Sequence, residues 1–148
     1  MPTEREQRRR QYRPKDTKLL FVGESPPANG TFFYAGNSNL YRYTSAAFSR
    51  SHGRQFATPG EFLEFFRRSR CFLEDVSLEP LNHQPDASRL ATIQACVPGF
   101  SERIRGMQPI AVIIVKQSIT GVVMQAMQNV GLDVGGNLHC LPFPAMGH

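Results

Sequence analysis

Cysteine is sparse in this sequence: Cys71, Cys96 and Cys140 stand far apart, and none belongs to a C-x-x-C pair. An odd count at wide spacing excludes a disulfide framework. The missing pair excludes the common zinc and iron–sulfur arrangements, which leaves buried thiols as the plain reading. The four histidines show no metal-ligand spacing, so neither a metal nor a cofactor is expected. No apolar run approaches the roughly 20 residues of a membrane span. The amino terminus has no apolar centre of the secretory kind. A cytoplasmic or nucleoid-associated protein with no membrane partner is therefore expected. There is no internal repeat and no low-complexity core segment. What is present fits one folded unit: 148 residues, 41% apolar and 20% charged, enough for a single core and too apolar for disorder.

Charge is unevenly spread. The formal net charge is +5, and residues 1–18 alone contribute +4. The reading is a basic, mobile tail over 1–17, able to touch phosphates without sequence preference, ahead of one domain over 18–148. A second basic excess, Arg42 to Arg70, holds six arginines against Glu61 and Glu64.

Hydrophobic pattern divides the domain. Lys18 to Val22 reads as a buried strand that stops at Gly23-Glu24-Ser25-Pro26-Pro27, a proline-stiffened loop. Asn29 to Tyr43 reads as a polar, turn-rich stretch. Thr58-Pro59-Gly60-Glu61 has the spacing of a helix start, and Phe62, Phe65 and Phe66 then share one face. Cys71 to about Val76 is a second strand. Short helices are expected near Asp86–Gln94 and from Ser101 to Met107. Ile110 to Val115 is an apolar, β-branched run, expected to be buried on both faces. Thr120–Asn129 reads as a helix and Asn137–Leu141 as a fourth strand. Alternating strands and helices predict an α/β fold, a three-layer α/β/α sandwich around a four-stranded parallel sheet. The loops at Gly23, Asp75, Lys116 and Pro142 then share one sheet edge, where ligands of such folds bind.

The order of elements and the Gly23–Pro27 motif resemble the uracil-DNA glycosylase superfamily, its poorly characterised members most of all. The motif follows strand one there and often reads G-E-A-P-G. The resemblance implies a protein that binds single- or double-stranded DNA as a monomer and hydrolyses the N-glycosidic bond of a flipped uracil or other damaged base. It casts Glu24 and Ser25 as catalytic, and Gly23, Phe32, Phe33, Asp75 and Phe143 as base-binding. Arg42, Arg67, Arg68 and Pro144 would touch DNA. Glu24 would act as a base or as a charge near the sugar.

Three departures open alternatives. Ser25 stands where many active members carry Asp or Asn, Asp75 where Asn usually reads the base edge, and Phe143 where a histidine is usual. The helix that follows the last motif in that family is expected to be missing after His148. One alternative is therefore a nucleic-acid or nucleobase-binding module of the same fold without chemistry. His83, just past strand two, is a possible donor in place of the lost histidine. A third reading is an esterase with Ser25 as nucleophile, because Gly23-Glu24-Ser25 also looks like a G-D-S opening. Such a serine needs a histidine to take its proton, and Asp133 and His139 have the wrong spacing.

Overall fold

The computed structural model describes residues 2–81 and 84–141. A helix, α1 (Glu4–Gln11), precedes the first strand, β1 (Leu19–Gly23). There follow α2 (Asn39–His52), α3 (Pro59–Arg68), β2 (Cys71–Asp75), α4 (Asp86–Ile104), β3 (Ala111–Ile114), α5 (Thr120–Asn129) and β4 (Leu138–Cys140). The four described strands lie in the order β2-β1-β3-β4, and every pairing is parallel. Parallel neighbours need crossovers, and the helices supply them.

Side-chain alternation assigns the two faces. Gly23 pairs in register with Asp75, and Val22 with Glu74. Phe21, on the Gly23 face, packs on Phe48 of α2 and Phe66 of α3, with ring centroids 6.3 and 5.4 Å apart. Glu74, on the opposite face, meets Arg103 of α4. α4 is joined to α5 through the Ser101 hydroxyl, which donates to the Ala126 carbonyl at 3.2 Å. The result is three layers, α2/α3, sheet and α4/α5. Leu20, Val22, Phe72, Val112 and Ile114 form a fully buried central plank, each large side chain worth up to about 2 kcal/mol of burial.

Local chemistry sets the element ends. Thr58 and Ser38 cap α3 and α2 by accepting from the Glu61 and Tyr41 amides. Gly36 ends a 3-10 turn over Phe33–Ala35 with a left-handed φ of 71°, a conformation suited to glycine. Tyr34 in that turn seals the open edge of β2. Its hydroxyl donates to the Leu73 carbonyl at 2.8 Å and accepts from the Leu73 amide at 2.6 Å, so the edge groups are not left as a template for another strand.

Several expectations need correction. Glu4–Gln11, expected within a mobile tail, is a docked helix: Arg9 pairs with the buried Glu74 at 2.6 Å and Arg5 with Glu79 at 3.1 Å. Part of the stretch read as turn-rich is helical, since α2 begins at Asn39. The two short helices expected between 86 and 107 are one, with Pro98 inside it. β3 is buried on one face and half-buried on the other. Of the cysteines only Cys71 is buried, and burial pushes its thiol up to about 11; Cys140 is exposed, as is His139 on the edge strand β4. Phe143, Pro144 and His83 lie outside the described residues.

Candidate functional site

The carboxyl edge of the sheet is held by hydrogen bonds that outrun the strands. The Val76 amide donates to the Gly23 carbonyl at 2.9 Å and the Ser77 amide to the Glu24 carbonyl at 2.8 Å. These bonds fix the backbone of the first loop beside the end of β2. Beyond Pro27, Asn29 accepts from the amide and hydroxyl of Thr31, and Asn37 accepts from the Phe32 amide at 2.8 Å. Two short polar side chains thus substitute for regular structure and bring Phe32 and Phe33 back over the strand ends.

A cleft of about 720 Å³ opens there. Its wall includes Gly23, Glu24, Ser25, Phe32, Phe33 and Asp75 from the sheet edge and first loop. Arg42 from α2, Arg89 from α4, and Lys116 just past β3 complete it. A second cavity of about 580 Å³ lies behind the partition formed by Pro26, Phe32, Leu73 and Asp75, with α1 as its far wall.

Glu24 is the electrostatic centre of the cleft. Arg89 donates to its Oε1 from Nη2 at 2.5 Å and Lys116 to its Oε2 at 2.9 Å. Burial pushes the Glu24 carboxyl up, but the hydrogen bonds and charges of Arg89 and Lys116 outweigh it and hold the group below its ordinary value. Glu24 is therefore ionised near neutral pH and a poor proton acceptor.

Asp75 has the opposite setting. It is half-buried, and among the described residues nothing hydrogen-bonds its carboxyl. Burial and the nearby charges of Glu74 and Glu24 push it up to about 7, against the pull of Arg103 and Arg9. A Cβ added to Gly23 would lie 2.5 Å from Asp75 Oδ1. Only a glycine leaves this carboxyl room to lie over the end of β1.

The residues expected at the site separate into two groups. Gly23, Glu24, Ser25, Phe32, Phe33, Asp75 and Arg42 line the one cleft. Phe32 and Phe33 are mostly buried, Phe33 within an aromatic cluster with Tyr34, Tyr41 and Phe66. Phe32 is thus a wall, and Phe33 is support behind it. Arg67 and Arg68 are elsewhere: they end α3 just before β2 begins, at the amino edge of the sheet, and pair with Glu64. Among the described residues that line the cleft, no histidine stands beside Ser25. Among the described residues no cluster of His, Cys, Asp and Glu is arranged to hold a metal ion. Sequence reasoning gave no role to Arg89 or Lys116. Lys116 lies just past β3, in a loop the sequence places at this edge, and that was the available signal; Arg89 lies in the first turn of α4.

No family model, curated protein or solved structure matches the chain.

Proposed function

We propose that the cleft receives a base extruded from DNA and that the protein hydrolyses the N-glycosidic bond of that base. The observation that carries this reading is the meeting of the Gly23–Ser25 loop, Phe32 and Asp75 in one hollow with Arg42, Arg89 and Lys116. The aromatic wall suits a ring, the carboxyl suits a base edge, and the cations suit flanking phosphates. In the reaction the C1′–N bond breaks and the base leaves with the electron pair. Water then adds to C1′, and its proton passes to the base. The sugar gains positive charge as the bond breaks. The ionised Glu24, fixed by two cations, offers a preorganised negative charge there rather than a proton acceptor. Arg89 and Lys116 offset the charge of the departing base.

The test is a panel of duplexes carrying uracil, xanthine or hypoxanthine, with abasic-site formation and DNA affinity both measured. Abasic product is expected with at least one lesion. Glu24→Gln should lower its formation about 100-fold and leave affinity within about three-fold. Equal rates in the two proteins would remove Glu24 from the chemistry, and absence of both product and binding would overturn the reading. A second reading is a base-binding module without chemistry. It is favoured by the Ser25 hydroxyl, which has no partner among the described residues to orient a water. DNA binding with no abasic product would select it.

A further inference from the structure

Asp75 lines the cleft beside the first loop. It ends β2 on the face of Gly23, forms part of the partition between the two cavities, and carries a carboxyl that no described residue hydrogen-bonds. Every other carboxylate around it is occupied. Glu24 is held by Arg89 and Lys116, Glu74 by Arg9 and Arg103, and Glu79 by Arg5. The carboxyl is half-buried and lines the cleft, and a ligand edge could supply the hydrogen bonds that no described residue makes to it.

The chemistry of that partner follows from what a carboxyl can do. Ionised, it is an acceptor only, with two oxygens in a fork. It then matches a ring that offers two adjacent N–H donors, the N1–H and 2-amino group of guanine. Uracil offers one N–H flanked by two carbonyl oxygens, and those oxygens would face the carboxylate. Adenine and cytosine each set a ring acceptor beside the amino donor, with the same conflict. Protonated, the carboxyl gives one donor and one acceptor, which matches the uracil edge.

We propose that Asp75 is the specificity residue of the cleft, choosing a guanine-type edge when ionised and admitting a uracil-type edge when protonated. This rests on the base-binding reading given above and adds the class of base and its dependence on pH. The groups that bear on Asp75 come from each neighbouring element. Glu74 lies next to it in β2, Glu24 follows β1, and Tyr34 closes the β2 edge. Arg103 of α4 and Arg9 of α1 bring the opposing charge. The two carboxylates and the burial place the switch close to neutrality, at about 7.

The experiment uses the full chain and single strands of abasic tetrahydrofuran residues with one central guanine or uracil. The base is carried on a 2′-fluoro sugar, which resists N-glycosidic cleavage. Affinity is measured at about pH 8 and about pH 5.5, either side of the Asp75 transition. At the higher pH the guanine strand should bind roughly 10-fold more tightly than the uracil strand. At the lower pH the preference should fall to about two-fold or reverse. Asp75→Asn, a neutral donor and acceptor, should show the low-pH ratio at both values. A ratio that does not change with pH in the natural protein, or a guanine preference that persists in Asp75→Asn, would overturn the assignment. If neither base adds affinity over a wholly abasic strand, the base-binding reading falls with it. If both add affinity equally at both pH values, only the role given to Asp75 falls.

Discussion

Two carboxylates at the ends of neighbouring strands are each clamped by two cations drawn from distant parts of the chain. Glu74 in β2 binds Arg9 and Arg103; Glu24 after β1 binds Arg89 and Lys116. The Glu74 side chain is 0% exposed and its cations 11% and 17%, whereas Glu24 is 10% exposed and its cations 21% and 29%. That margin separates a fastening from a site. Around Glu74 the cations are spent inside the protein: Arg103 also donates to the Asp75 and Val76 carbonyls, and Arg9 also binds Glu6. This cluster ties α1 and α4 to the edge of the sheet. Around Glu24 the cations line an open cleft and keep part of their surface exposed. Burial decides the direction of titration as well. It lifts Glu74 above its ordinary value even against two guanidiniums, while the wetter Glu24 is held below its own.

The contrast is most easily broken at Glu74. Glu74→Gln leaves the mostly buried Arg103 without its counter-charge and Arg9 with Glu6 alone, so urea unfolding should show a loss of about 3 kcal/mol. Proteolysis between α1 and β1 should quicken at the same time. A loss below about 1 kcal/mol would mean that this cluster is no more structural than a surface pair.

Next in size is Gly23→Ala. Its Cβ would meet Asp75 Oδ1 at 2.5 Å, so the carboxyl must swing away from the end of β1. Base-dependent affinity for DNA should fall roughly 10-fold, with stability lowered by about 1 kcal/mol. Unchanged affinity would show that the position of Asp75 over Gly23 does not matter to the ligand.

The pH dependence of stability sharpens the comparison, because Glu24 and Asp75 shift in opposite senses. The Glu24 carboxyl is held below its ordinary value of 4.5. Its contribution is therefore complete above that value and is lost as pH falls through the lower, folded one. The Asp75 carboxyl is raised from 3.8 to about 7, so the folded state binds the extra proton between these limits. Stability from this group is full below the lower value, declines as pH rises towards 7, and is flat beyond. Asp75→Asn should lessen the decline, leaving the part that belongs to the likewise raised Glu74, and Glu24→Gln should flatten the acid limb, both read from urea midpoints across pH. A decline unchanged in Asp75→Asn would assign it to Glu74 or another group.

The smallest effect concerns the two sets of arginines. Arg67→Ala with Arg68→Ala should change DNA affinity by no more than about two-fold, since both stand at the far edge of the sheet. Lys116→Ala should lower the slope of affinity against salt by about one counterion. Equal losses in the two proteins would place the DNA away from the cleft.

Much of the architecture was legible because burial leaves periodic marks. Leu19–Val22 and Ile110–Val115 are continuous apolar runs, and both contain strands of the sheet. Helix α2 was hidden for a converse reason. Asn39–His52 is polar and aromatic by turns, and Tyr41 is its one buried residue among those described. α1 has no buried residue at all and is held by charge, which no hydrophobic pattern reports. Two short helices were expected between Asp86 and Met107, yet α4 runs on through Pro98, because the packing of Val97, Phe100 and Ile104 outweighs one lost backbone bond. Of the candidate site, the Gly23–Pro27 loop was legible as a strand-end turn. Arg89 and Lys116 pair with Glu24 across 65 and 92 residues, and one sequence holds no trace of pairs so distant.

The account turns on the carboxyl edge of β1, β2 and β3 forming the face that meets a base. Amide chemical shifts of the labelled protein, followed during titration with the single-guanine abasic strand at about pH 8, test this most directly. The account predicts the largest changes at Gly23, Glu24, Phe32, Asp75, Arg89 and Lys116, with Arg67 and Arg68 still. Changes centred on α3 or β4, with the Gly23 loop and Asp75 unmoved, would contradict it.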